Sequence, residues 1–244
     1  MSKSNSRFIV PAKSSDAGKA EHKNISIIIP VAGMGSRMKR YGPKCLFPTS
    51  KGSTILSKII KNIRKVYPYC EIIATVGFDA DKVIDSVPKN IRIVENQLYD
   101  TTNMVESIRL ALNNAVNDDV IIVNGDLIFN VFALQNLTKH GSCVVVDSQN
   151  RFNKKDEVGV TVIDNMAVNF AYGLPIKWAQ IIYLTGKELV KFHEFCNDRE
   201  KNKMHTFEIL NMVIESGGVF LADEPKGMQI KEIDSLKDLP RWDK

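Results

Sequence analysis

The residues best suited to chemistry gather first around a glycine turn. The run Ile27-Ile28-Ile29-Pro30-Val31-Ala32-Gly33-Met34-Gly35-Ser36-Arg37-Met38 is an apolar strand that leads straight into two glycines and a guanidinium. Lacking a Cβ, Gly33 and Gly35 leave backbone N–H groups open to phosphate oxygens. Val31, Ala32, Gly33, Met34, Gly35 and Ser36 therefore form a candidate nucleotide-binding loop, and Arg37 offers it a fixed fork of donors for a polyphosphate. A simple glycine turn beside a surface arginine is the plain alternative. Two familiar glycine motifs do not fit. A dinucleotide fingerprint needs a small residue where Met38 stands and an acidic residue at the end of the second strand, where Thr75 and Val76 stand. A Walker A loop needs its second glycine at the same Met38 position.

The continuation Arg40-Tyr41-Gly42-Pro43-Lys44-Cys45-Leu46-Phe47-Pro48 adds a second cation. Pro43 and Pro48 are expected to keep the stretch extended, with Lys44 over the same phosphates. Further along, Asp126 follows the apolar run Val120 to Val123 through Asn124-Gly125. That spacing predicts a carboxylate at the carboxyl end of the sheet, beside the glycine loop. A hard cation such as Mg²⁺ takes oxygen ligands there, shared between one or two carboxylates and the substrate phosphates. By itself Asn124-Gly125-Asp126 reads as a turn before it reads as a metal site.

Together these segments resemble the sugar-phosphate and alcohol-phosphate nucleotidyltransferases, whose signature is G-x-G-x-R-M followed by P-K and an apolar residue. The resemblance covers about Asn24 to Asp147 and resumes near Glu232. It implies a Rossmann-like three-layer α/β/α nucleotidyltransferase fold, a nucleoside triphosphate and a small phosphorylated acceptor as partners, and Mg²⁺ as cofactor. Arg37 and Lys44 take the catalytic roles by this resemblance, neutralising the triphosphate and the attacking phosphate. Asp126 matches the metal-binding G-D position. Ile230-Lys231-Glu232-Ile233-Asp234-Ser235 resembles the closing E-I-D-T/S motif, which makes Asp234, chosen over Glu232, the second metal ligand; a helix N-cap at Asp234 or Ser235 is the competing role. Glu95 to Ser107 resembles the base-reading segment of cytidylyltransferases of the phosphocholine type, with Thr102, Asn103 and Ser107 as nucleotide-binding residues. An ordinary cap on Asn103, boxed by Glu106, fits the same residues.

The elements that must position these groups are legible as apolar runs. Ile25 to Pro30, Glu71 to Val76, Ile91 to Val94, Val120 to Val123 and Ser142 to Val146 predict continuous buried strands, and intervening helices predict a mostly parallel sheet covered on both faces. Ile55, Ile59, Ile60 and Ile63 form one helical stripe, and Val105, Ile108, Leu112 and Val116 another. After Asp147 the pattern changes. Gln149 to Asp156 is polar, Glu157 to Tyr172 predicts a hairpin, Trp178 to Leu184 a further strand, and Lys187 to Cys196 and Thr206 to Glu215 helices, the last stopped by Ser216-Gly217-Gly218. Aromatics in this stretch, Phe170, Tyr172, Trp178 and Tyr183, offer faces to an ammonium group or pack as core.

Composition sets the outer bounds. A chain of 244 residues holds one α/β domain, taken as 24–244 behind a flexible tail at 1–23 rich in Ser, Lys and Ala. The formal charge is +5, without a basic block interleaved with aromatics, so no nucleic-acid partner is expected; a phosphate pocket accounts for the excess equally well. The longest apolar runs fall short of a membrane span, and the N-terminus has no secretory apolar region, so no membrane partner and a cytoplasmic location are expected. Self-association into a homo-oligomer stays open. Cys45, Cys70, Cys143 and Cys196 form no C-x-x-C pair and predict reduced, buried thiols. His22, His140, His193 and His205 have no ligand spacing. A glycosyltransferase of related fold would carry D-x-D where this chain has Asn124-Gly125-Asp126. A non-catalytic nucleotide-binding protein is the other alternative, and activity separates it.

Overall fold

A computed structural model describes residues 25–34, 42–49, 52–149 and 157–240. The tail, Gly35, Ser36, Arg37, Met38 and most of the polar run after Gln149 lie outside the described residues.

The first half is built from strands apolar on both faces. β1 (Ile25–Pro30), β2 (Glu71–Val76), β3 (Arg92–Glu95) and β4 (Asp119–Val123) pair side by side and parallel in the order β3-β2-β1-β4. Successive side chains point to opposite faces. Thus Ile27 and Ile29 enter one core, while Ile28 enters the other. Helices α1 (Ile55–Val66) and α2 (Ala80–Ser86) cover the first face, and α3 (Met104–Leu112) the second. The predicted stripe of α1 is buried at Ile55, Ile59, Ile60 and Ile63. The stripe of α3 ends one turn earlier than expected: Asn113 closes the helix, and Val116 is 68% exposed.

The second half inserts and turns back. β5 (Leu127–Phe129) leaves the main sheet, β6 (Cys143–Asp147) rejoins it, and β7 (Val158–Ile163) and β8 (Met166–Tyr172) form the predicted hairpin. β9 (Ile176–Leu184) runs antiparallel between β4 and β6, and β10 (Phe220–Asp223) lies parallel to β6 and antiparallel to β8. Following these pairings, seven of the nine strands point the same way and only β8 and β9 oppose them. The sheet is therefore mostly parallel in direction, and β7 also pairs with the start of β9, so the strands β6 to β10 curl into a ring. α4 (Gly186–Asn197) and α5 (Thr206–Glu215) join α3 on the second face through Phe192, Ile209, Leu210 and Val213. This makes three layers, as expected. All four cysteines are buried and unpaired, and burial pushes the Cys45 and Cys143 thiols up to about 12. No described helix is long and apolar enough to cross a membrane.

Candidate active site

Every main element of the site reaches the carboxyl edge of the parallel strands, where open α/β sheets bind ligands. Beyond β1, Gly33 is exposed, and among the described residues nothing would meet a Cβ placed on it. Asn124-Gly125-Asp126 returns against this loop so closely that a Cβ on Gly125 would overlap Val31 and come within 2.7 Å of the Pro30 carbonyl oxygen. The glycine is thus required by approach, and the approach brings the Asp126 carboxylate beside the loop.

Distant parts of the chain then converge on Asp126. β11 (Ile230–Glu232) pairs antiparallel with β5, and Ile233 N–H donates to the Asp126 carbonyl at 2.9 Å. This small two-stranded ribbon carries Glu232 and Asp234 to the first carboxylate. Oxygens of Asp126, Glu232 and Asp234 lie within 4.8 Å of one another. Ser235 caps the short 3₁₀ turn at Leu236–Asp238, so the N-cap role considered for Asp234 falls to its neighbour. Glu232, passed over in favour of Asp234, stands in the same cluster.

Lys44 closes the group. Its Nζ lies 2.9 Å from Asp126 Oδ2 and 2.8 Å from Asp234 Oδ1. The expected extended stretch is instead a 3₁₀ turn at Lys44–Leu46, because Leu46 N–H reaches back to the Pro43 carbonyl and buried Cys45 and Phe47 anchor the turn. Burial alone would lower the Lys44 pKa, but the carboxylates of Asp126 and Asp234 outweigh it and hold the ammonium above its ordinary value. Burial, followed by the like charges of Asp126 and Asp234, pushes Glu232 up to about 7 against the pull of Lys44 and Lys177. Asp126 Oδ1 is buried with no hydrogen-bond partner among the described residues. An orphaned oxygen facing two further carboxylates suits a hard divalent cation.

Gln180 supports this cluster from β9. Its amide accepts from Asn124 Nδ2 and donates to Glu232 Oε2, the latter at 2.6 Å. It does so from a left-handed backbone, φ +58°, inside a strand.

Three adjoining depressions share their walls. Pro30, Ala32, Gly33, Asn96, Tyr99, Thr102, Asn103, Met104 and Ser107 line a crevice beside the glycine loop. A second, lined by Gly33, Lys44, Met104 and Asp126 among others, connects it to the carboxylates. The third is a cleft of about 230 Å³ whose walls include Asp126, Glu157, Tyr172, Trp178, His205 and Phe207. Met104 borders all three.

Of the residues expected to read the base, Thr102 and Ser107 are tied together by Asn96, whose Nδ2 reaches both hydroxyls at 3.2 and 3.1 Å. Asn103 takes the capping role weighed for it and lines the same crevice. Its Oδ1 caps α3 at the Met104 N–H, while its Nδ2 turns toward residues 203–205. Glu106 forms no capping box; it is 3% exposed and binds Arg109 at 2.7 Å and Arg199 at 3.0 Å. Tyr172 and Trp178 reach the third cleft, whereas Phe170 and Tyr183 are buried in the core. His205, Phe207, Gln180 and Glu157 also line it, and no spacing in the sequence marks them. Trp178 Nε1 and Thr206 Oγ1, both buried without a partner among the described residues, belong to residues of the same cleft.

A three-layer α/β fold, a glycine loop at a strand end and a lysine bridging two carboxylates define a nucleotide-handling α/β protein. Residues 27–192 match the MobA-like NTP transferase domain, and the chain belongs to that family. Among curated relatives, the bifunctional protein GlmU of Leifsonia xyli subsp. xyli is 28% identical over 109 residues, 43% of this chain. The chain spans only 22% of that protein's length. The 2-C-methyl-D-erythritol 4-phosphate cytidylyltransferase of Pseudoalteromonas atlantica is 25% identical over 144 residues, 54% of this chain and 62% of that one. In architecture the chain resembles CTP:phosphocholine cytidylyltransferase from Streptococcus pneumoniae, with TM-score 0.71 and 18% identity over 88% of this chain and 96% of that one. The inositol-1-phosphate CTP transferase of T. maritima gives 0.73 and 16% over 91% and 93%.

Proposed function

We propose that this chain is a nucleotidyltransferase that moves a nucleoside monophosphate, CMP in the favoured reading, from a triphosphate to a small phosphorylated acceptor. The observation that carries the reading is the Lys44 ammonium between Asp126 and Asp234, where the glycine-loop depression meets the 230 Å³ cleft. The triphosphate lies along the loop with its base in the crevice of Asn96, Thr102 and Ser107. The acceptor occupies the cleft. An acceptor phosphate or phosphonate oxygen attacks the α-phosphorus in line, the new O–P bond replaces the bond to the β-phosphate, and pyrophosphate leaves with the electron pair.

Lys44 and Arg37 neutralise charge on the phosphates, and the loop N–H groups fix their orientation. Arg37 enters this reading from the sequence motif alone. Asp126 and Asp234, with Glu232 beside them, are suited to hold Mg²⁺, which when bound spreads the negative charge of the phosphates. Glu157, Tyr172 and Phe207 in the cleft wall support an acceptor that carries an ammonium, through opposite charge and aromatic faces. Phosphocholine and 2-aminoethylphosphonate are such acceptors; a sugar phosphate is the alternative.

The test measures pyrophosphate release with each nucleoside triphosphate against phosphocholine, 2-aminoethylphosphonate and hexose 1-phosphates, with and without magnesium. CTP with an ammonium-bearing acceptor is expected to dominate. Preference for UTP or GTP, or for a hexose 1-phosphate, removes the cytidylyl reading and leaves nucleotidyl transfer standing; no release with any pair removes both.

A further inference from the structure

We infer that Asn103, placed by its sequence motif at the nucleotide base and lining the crevice there, also positions the wall of the acceptor cleft. The inference rests on the assignment of that cleft to the acceptor. Its ground is the direction of the Asn103 contacts. The backbone N–H of Asn103 donates to the Asn202 carbonyl at 2.8 Å. The side-chain Nδ2 lies 3.4 Å from the Lys203 carbonyl and 3.3 Å from both ring nitrogens of His205. On the side of α3, Oδ1 caps the Met104 N–H and the Asn103 carbonyl accepts from the Glu106 N–H at 3.1 Å.

From His205 the support passes through rings. His205 stacks on Phe207 with centroids 5.8 Å apart and planes 17° apart. Phe207 in turn meets Tyr172 edge-on at 5.3 Å. All three line the cleft that also contains Asp126, Glu232 and Asp234. His205 further begins α5, its own N–H donating to Glu208 Oε2 at 2.7 Å. Residues 202–207 are thus pinned at one end by α5 and at the other by Asn103. A second tie runs nearby, from Arg199 to the buried Glu106 on α3 at 3.0 Å.

The two ends of the Asn103 amide therefore separate two functions: the oxygen holds the helix that borders the base crevice, and the nitrogen holds the acceptor wall. Serine caps helices about as well as asparagine but is too short to reach the far segment. Asn103→Ser removes the side-chain part of the second role, leaving the backbone bond to Asn202, and keeps the first. Aromatic faces displaced by a fraction of their contact distance lose most of their hold on an ammonium, so the loss appears in acceptor binding.

The experiment measures CTP and acceptor constants separately for the full chain and its variants, using whichever of phosphocholine and 2-aminoethylphosphonate the wild type turns over. For Asn103→Ser the acceptor KM is expected to rise about tenfold, the size of one or two lost hydrogen bonds, while CTP affinity, measured directly by calorimetry, changes less than about twofold. Arg199→Ala, at an exposed position, moves the acceptor KM in the same direction by a smaller factor. Equal losses of CTP and acceptor affinity, or a change confined to CTP, would overturn the inference. Amide hydrogen exchange provides the readout that needs no turnover. Faster exchange in residues 203–207 with unchanged protection in α3 is expected for Asn103→Ser, and unchanged exchange there overturns the inference even if the wild type proves inactive. A wild type with no activity toward any pair counts against the proposed function, not against this tie.

Discussion

The two halves of the sheet solve different problems. The strands β1 to β4 lie parallel, β1, β2 and β4 buried on both faces and β3 half-exposed at the edge, and end in loops that all reach one edge, so the proposed nucleotide side of the site follows from strand order. The strands β6 to β10 mix directions, curl through the β7 to β9 pairing, and gather a cleft from side chains on a hairpin, a central strand and a helix start. A loop at a strand end inherits its position from the sheet. A cleft assembled across strands must be held by contacts between distant segments, and among them here are the Gln180 bridge and the Asn103 contacts with residues 202–205.

Substitutions can separate the halves. The largest effect is expected at the phosphates, which both halves serve: Lys44→Ala, and Arg37→Ala from the loop motif, should each lower kcat on the order of 100- to 1000-fold with the fold retained by circular dichroism. Near-normal pyrophosphate release by either would end its assignment. Next come the carboxylates. Asp126→Asn is expected to damage turnover and magnesium dependence more than Asp234→Asn, because Asp126 has a buried oxygen without a partner among the described residues while Asp234 follows the returning ribbon. A magnesium titration of each variant checks the order, and an unaltered titration for Asp126→Asn would move the metal elsewhere.

Smaller effects should mark the seam between the halves and then one half alone. Glu106→Gln lies at the seam between α3 and residues 198–205 and is expected to lower stability by about 1 to 3 kcal/mol near neutral pH, from the loss of charge in a buried pair. Arg109 first, against the cost of burial, holds the Glu106 carboxyl below its ordinary range. Its stabilisation is therefore full above the unfolded pKa and lost as pH falls through the depressed folded value, so the gap between variant and wild type in urea unfolding should close in acid. A gap independent of pH would mean that packing, not charge, is involved. Tyr172→Ala should be milder still, weakening an ammonium acceptor by about 0.5 to 2 kcal/mol in KM and sparing CTP; a loss shared with CTP would break the separation of the halves.

The nucleotide half was readable in the sequence for a physical reason. Its strands are continuous apolar runs whose ends coincide with Gly33, Asn124-Gly125 and Glu95, so period and punctuation gave both element and placement. The turn at Lys44–Leu46 was not, because Pro43 and Pro48 suggest an extended path and only the burial of Cys45 and Phe47 folds it. The early end of α3 was missed because Val116 continues the helical spacing after Asn113 has closed the helix. The cleft proposed for the acceptor was the least legible. Tyr172 and Trp178 alternate like core residues, His205 has no ligand spacing, and Glu232 joins the carboxylates only through the pairing of β11 with β5, a contact between distant segments that local pattern does not encode.

Gln180 carries a consequence for how this chain can vary. A non-glycine residue in the left-handed region inside a strand costs on the order of 1 to 3 kcal/mol. Glycine would relax that backbone, and would also cut the link between Asn124 and Glu232. Selection for heat resistance and selection for turnover therefore favour different residues at one position, and a library sorted by each criterion should diverge at Gln180 before it diverges in the core.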